Sequence, residues 1–160
     1  MKSFSALFSV VFFCLLSSGC SLFISSNSED YGERTTGSWI EDESIETKVQ
    51  SNLQNANPGF EQAHIVVVSY NGIVLITGQV PTAELKEIAS SVAQQTRKVR
   101  KVHNELSISG PTSGLTRTAD SWISAKLKSK LLLNSETEGS RVKVTTENGV
   151  VYLMGLLKRA

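Results

Sequence analysis

Apolar residues recur at Ile45, Val49 and Leu53, a spacing of i, i+4, i+8 that predicts one face of an amphipathic helix. Asp42 stands ahead of that stripe as a candidate N-cap, and Asn57-Pro58-Gly59 ends it. The pattern then changes to nearly continuous β-branched runs over residues 65–70 and 73–77, joined by Asn71-Gly72. That dipeptide supplies the two positive φ angles of a type I′ hairpin turn. Because both runs are apolar at almost every position, they predict strands buried on both faces, or crossed on one face by a helix. Pro81-Thr82 opens a second helical period with Leu85, Ile88, Ala89, Val92 and Ala93 on one side. Residues 102–108 alternate Val102, Asn104, Leu106 and Ile108 on one side, which predicts a third strand. The order helix, strand, strand, helix, strand predicts a small α+β layer with its helices on one face of the sheet.

The same pattern starts again. Ile65-Val66-Val67-Val68-Ser69-Tyr70-Asn71-Gly72-Ile73-Val74-Leu75-Ile76-Thr77-Gly78 is echoed by Val142-Lys143-Val144-Thr145-Thr146-Glu147-Asn148-Gly149-Val150-Val151-Tyr152-Leu153-Met154-Gly155. Upstream, residues 44–49 are echoed by residues 122–127. A repeat this long means two copies of one structural module. Residues 109–118, rich in Gly, Ser and Thr, read as a linker between the copies. The second copy takes Thr118 or Asp120 as cap and Ile123, Leu127 and Leu131 as its stripe. It closes soon after its hairpin, at Lys158-Arg159-Ala160, so the second module reads as incomplete, a fragment or truncated product. Without a second helix, its hairpin is expected to leave an apolar face open around Val144, Val150, Leu153 and Leu156.

The first residues follow a different logic. Lys2 precedes an apolar run over residues 4–16 and then Ser17-Ser18-Gly19-Cys20. A charged start, a short apolar core and small residues read as an export signal over residues 1–19, too short to span a bilayer. Small residues ending in cysteine resemble a bacterial lipobox, with Ser17 where Leu is usual; Cys20 is then the lipidated residue. Ser21 after it resembles an outer-membrane sorting signal. Cys14 lies in the leader, so the exported domains carry no free thiol and need no disulfide framework. Residues 20–38 are polar and aperiodic and read as a tether. This gives residues 39–108 as the first module and 119–160 as the second.

This combination resembles the BON-domain family, and within it the two-BON outer-membrane lipoproteins of Gram-negative bacteria. The likeness rests on Cys20, both Asn-Gly hairpins, Gly78, Gly155 and residues 120–126. It implies two αββαβ modules with helices packed on one face of a small mixed sheet, the second here truncated after its β-hairpin. It also implies binding of anionic phospholipid and support of the outer-membrane barrier.

Net charge is near balance at +1, so local distribution decides where an anionic partner binds. The first helix carries Glu41, Asp42, Glu43 and Glu46 against Lys48. The equivalent helix of the second copy carries Asp120 against Lys126, Lys128 and Lys130, a sign that attracts anionic headgroups. At about 100° per residue, Trp122, Lys126, Lys130 and Leu133 share a flank beside the Ile123, Leu127, Leu131 stripe. An indole between lysines suits a membrane interface, with the ring at the acyl boundary and the Lys stems snorkelling. Trp122, Lys126, Lys128, Lys130 and Leu133 are therefore the candidate lipid-binding residues. Trp39, ahead of the acidic helix, is expected to pack against the first module.

Other chemistry is thin. His64 and His103 are isolated and have no metal-ligand spacing. No nucleophile elbow or His–acid pairing stands out, so neither an enzyme nor a cofactor is expected. Arg97-Lys98-Val99-Arg100-Lys101 is basic, but an exported chain with no phosphate-clamping GXXG loop is not expected to bind nucleic acid. The alternative is a periplasmic protein-interaction or chaperone-like module that binds an envelope partner by strand addition at an exposed sheet edge.

Overall fold

The computed structural model describes residues 34–157. The leader, Cys20 and most of the stretch read as tether lie outside the described residues. Helix α1, Thr36–Ala56, buries Asp42, Ile45, Val49 and Leu53, the stripe expected from the spacing. It begins earlier than its pattern suggested. Thr35 is the cap, its hydroxyl accepting the Ser38 N–H at 3.1 Å, and Asp42 lies well inside the helix with a different task. Asn57 leaves the helix in extended conformation and caps a 3-10 turn, Pro58–Gln62, that buries Phe60.

Strands β1, His64–Tyr70, and β2, Ile73–Val80, pair antiparallel in a register running from Tyr70 opposite Ile73 to His64 opposite Gln79. Asn71 and Gly72 have φ of 50° and 75°, the left-handed pair that type I′ requires. Gly78, at φ 117°, has no room for a side chain, because a Cβ there would collide with the His64 carbonyl oxygen. Helix α2, Ala83–Gln95, is capped by the Thr82 hydroxyl and buries Leu85, Ala89 and Ala93.

The expected third strand is split. Strands β3, Lys101–Asn104, and β4, Ser107–Ile108, both pair parallel to β2. The chain bends between them. The Glu105 N–H donates to the Ile76 carbonyl at 2.8 Å, the Leu106 N–H donates to Asn104 Oδ1 at 3.1 Å, and Leu106 turns into the core. The simple alternation of residues 102–108 therefore fails at Ile108, which is exposed. β2 is thus the central strand of a mixed sheet.

Period-2 alternation sorts β2 onto two faces. Val74, Ile76 and Val80 meet Ile45, Val49, Leu53, Leu85, Ala89 and Ala93 in one core. Leu75, Thr77 and Gln79 point to the opposite face and are buried as well. The second repeat covers them, which explains why the runs are apolar at nearly every residue.

Helix α3, Gly114–Leu133, also starts earlier than expected, at a Ser113 cap whose hydroxyl accepts the Thr116 N–H at 3.2 Å. It therefore reaches back into the stretch read as linker. A 3-10 turn, Gly139–Arg141, leads to β5, Val142–Glu147, and β6, Val150–Gly155, which form an antiparallel hairpin. Asn148 and Gly149 repeat the left-handed pair at φ 50° and 77°. Val144, Thr146, Val151 and Leu153 share the face toward α3, while Lys143, Glu147, Tyr152 and Met154 face the first repeat. Val150 belongs to this second face, not to the α3 face with Leu153.

Polar contacts join the repeats. Gln79 Nε2 donates to Glu147 Oε1 at 2.9 Å, and His64 Nε2 lies 3.3 Å from Glu147 Oε2. Lys143 Nζ pairs with Glu46 Oε1 at 2.6 Å, and that same oxygen accepts the Ser69 N–H at 2.7 Å.

Candidate membrane-contact site

One acidic residue fixes how α3 sits on its hairpin. Asp120 is buried, and its carboxylate accepts the N–H groups of Asn148 and Gly149 at 2.8 and 2.9 Å. Ser124, one turn on, donates to the Thr146 hydroxyl at 2.8 Å. With Asp120, Ser124, Leu127 and Leu131 turned inward, the helical period leaves Leu115, Trp122, Lys126, Ser129 and Leu133 pointing outward. Asp120, read as a possible cap, is instead the inward anchor.

The outward stripe is more apolar than a solvated helix face requires. Leu115 is 82 % exposed, Trp122 63 % and Leu133 86 %. Lys126 lies one turn after Trp122 and places its ammonium 4.7 Å from the indole centroid, within cation–π range. Lys130 is exposed in the last turn, where the helix dipole also favours a cation. Four of the five residues read as lipid-binding, Trp122, Lys126, Lys130 and Leu133, are therefore brought together on exposed surface.

Lys128 is not among them. Its ammonium turns toward the hairpin and donates to the carbonyl oxygens of Gly139 at 2.9 Å and Val142 at 2.5 Å. A position on the helix flank combined with a long stem let the amine curl inward onto backbone acceptors left free at the strand entry. Leu115 and Leu132, 56 % exposed, were missed. Leu115 lies in the stretch read as linker, and recognising Ser113 as a cap would have placed it two helical turns before Trp122 and five before Leu133.

The first helix exposes Trp39 and Ile40 but sets only Lys48 on the same helix, not a cluster of lysines. Its acids are engaged internally: Glu41 pairs with Lys98, and Lys143 reaches both Glu46 and, at 3.9 Å, Glu43. Trp39, expected to be packed, is half-exposed in the first turn of α1, ahead of the first buried residue of the helix, Asp42. Lys98 adopts a left-handed φ of 73° in the turn before β3, so part of the basic run at residues 97–101 serves the chain reversal. His64 is spoken for by Glu147, as above. Among the described residues, no helix is long and apolar enough to cross a membrane, and no group of three or more His, Cys, Asp or Glu could hold a metal ion.

The chain matches the BON domain over residues 41–110 and again over residues 119–160. It is 38 % identical over 122 residues to "Outer membrane lipoprotein DolP" of Haemophilus influenzae, covering 76 % of this chain and 63 % of that protein. It is 42 % identical over 128 residues to the "21 kDa hemolysin" of Actinobacillus pleuropneumoniae, covering 79 % and 66 %. The "Osmotically-inducible protein Y" of Escherichia coli is 27 % identical over 128 residues, covering 79 % of this chain and 63 % of its own. The chain thus spans just under two thirds of the length of these curated relatives. Two matched segments, each built around a buried Asp and an Asn-Gly hairpin, place the chain in the BON-domain family.

Proposed function

We propose that this is a lipid-anchored protein of the bacterial outer membrane that faces the periplasm, docks on anionic phospholipid and supports membrane integrity. Residues 1–19 are its export signal, Cys20 carries the lipid, and the tether read from the sequence ends before Arg34, where the chain joins the first repeat. The observation that carries the docking role is the outward face of α3, where exposed Leu115, Trp122 and Leu133 lie beside Lys126 and Lys130. Each lysine contributes about 1 kcal/mol of attraction near an anionic surface, and the indole and leucines bury apolar area at the acyl boundary. Such weak contacts suffice, because lipid on Cys20 holds the module at high local concentration. The name of the Haemophilus influenzae relative, an outer membrane lipoprotein, supports the location. The role is binding rather than catalysis.

The test is co-sedimentation with vesicles of phosphatidylglycerol and phosphatidylcholine, against phosphatidylcholine alone. Binding is expected to the anionic vesicles and to fall with Trp122→Glu. Equal binding to both vesicles, or no loss in the variant, overturns the reading.

A second reading, an envelope protein partner bound by strand addition, is favoured by one observation. β6 is an edge strand among the described residues and exposes Val150, Val151 and Leu153. Cross-linking to one envelope protein that survives charge reversal at Lys126 and Lys130 supports it.

A further inference from the structure

The hairpin β5–β6 does not close completely over the back of the first sheet. On the β3 side a cleft of about 590 Å³ remains between the repeats, within the size range of small-molecule pockets, roughly 300–1,000 Å³. We infer that this cleft is a second binding site, which takes the single acyl chain of a fatty acid with its carboxylate at Arg100.

The walls are apolar and come from both repeats. Ile73 and Leu75 of β2 form one side, and Met154 and Leu156 form the other. The methionine is unbranched and polarizable, suited to an irregular hydrocarbon surface. Tyr70 and Tyr152 add ring area. Burial, and then the carboxylates of Glu105 and Glu147, raise the Tyr152 pKa.

The polar groups give the cleft a direction. Asn71 and Arg100 lie at the turn end, His103 midway along β3, and Glu105 beyond it. Arg100 is held in place: its N–H donates to the Gly72 carbonyl at 2.7 Å, and its Cγ and Cδ lie across that glycine. Its guanidinium has no carboxylate partner among the described residues. Guanidinium and carboxylate match in a bidentate, charge-assisted pair, whereas Glu105 repels an anionic head from the far end. One acidic head and one chain fit one free guanidinium beside one apolar cleft. The site is separate from the membrane-contact face, because β5–β6 lies between the cleft and α3, and it stands whether or not that face binds lipid.

Calorimetric titration of the full chain with dodecanoate, below its micellar concentration, tests the inference. One-to-one saturable binding is expected. Arg100→Gln, at an exposed position, is expected to weaken it about tenfold, or roughly 1.4 kcal/mol, while binding of dodecanol stays unchanged in that variant. Met154→Trp, which fills the cleft, is expected to abolish binding, with circular dichroism and thermal unfolding confirming the fold. Trp122→Glu is expected to leave it intact. Absence of saturable binding, indifference to Arg100→Gln, or loss on Trp122→Glu overturns the inference.

Discussion

Asp42 and Asp120 hold equivalent positions in the two repeats, and each carboxylate clamps the Asn-Gly turn of its own hairpin. Asp42 accepts the N–H groups of Asn71 and Gly72 at 2.7 and 2.9 Å, as Asp120 accepts those of Asn148 and Gly149. The link ties helix to hairpin tip, so it sets the angle at which each first helix crosses its sheet. It has been elaborated in one copy only. Asp42 also accepts the Ser69 hydroxyl at 2.7 Å and pairs with Arg34 at 2.5 Å, while Arg34 lies over the Tyr70 ring.

Removing each clamp is expected to cost unequally. Asp42→Ala strands two turn N–H groups and the Ser69 hydroxyl in buried surroundings, for about 3 kcal/mol. Asp120→Ala strands only the turn, beside solvent, for about 2 kcal/mol. Urea unfolding followed by circular dichroism reads both; equal costs would show that the added partners of Asp42 contribute nothing.

The same network sets an acid limit. Burial works to raise the Asp42 pKa, but the hydrogen bonds from Gly72, Ser69 and Asn71, with Arg34 beside them, outweigh it and hold the carboxyl below its ordinary value of 3.8. A group whose folded pKa is depressed stabilises the fold above its unfolded pKa, and that contribution disappears as pH falls through the folded value. Unfolding free energy is therefore expected to be flat in this respect above about pH 5 and to drop steeply below about pH 4. In Asp42→Asn that part of the drop is expected to vanish, leaving a lower but flatter profile over the acid range.

These clamps also show where sequence reasoning succeeds and where it stops. The stripe Ile45, Val49, Leu53 and both Asn-Gly turns were legible because periodicity and positive φ are local properties. The helix starts were not, because an Asp ahead of an apolar stripe has the chemistry of a cap and of a buried clamp alike. Only the distant turn distinguishes them. The break at Glu105 and Leu106 was hidden for a related reason: a side-chain bond from Asn104 interrupts an otherwise regular alternation. The two-faced burial of β2 was legible, but not that a second repeat would cover one face.

Lysines on α3 are expected to separate by task. Lys126→Ala and Lys130→Ala each remove about 1 kcal/mol of headgroup attraction, so vesicle affinity is expected to fall about fivefold in either, with thermal stability kept. High salt is expected to reduce the remaining attraction. Lys128→Ala removes donors from the Gly139 and Val142 carbonyls, and is expected to destabilise the second repeat by about 2 kcal/mol with vesicle affinity unchanged while folded. If Lys128→Ala weakened binding as much as Lys126→Ala without loss of stability, the ammonium would be facing the membrane, and its bonds to the hairpin would be incidental.

Repeat equivalence makes the sharpest stability contrast. Val74 and Ile76 are 0 % exposed under α2, whereas their counterparts Val151 and Leu153 are 36 % and 57 % exposed, since α3 packs on the β5 side of that face and no second helix covers β6 among the described residues. Ile76→Ala opens a cavity in a closed core and is expected to cost about 3 kcal/mol. Leu153→Ala removes a side chain that already meets water, and is expected to change stability by less than about 0.5 kcal/mol. An apolar strand at a sheet edge favours association, so Leu153→Lys is expected to lower self-association in sedimentation velocity at high protein concentration. A large stability loss on Leu153→Ala would mean that this leucine is covered in solution, and the outer face of β6 would then have to be counted as core.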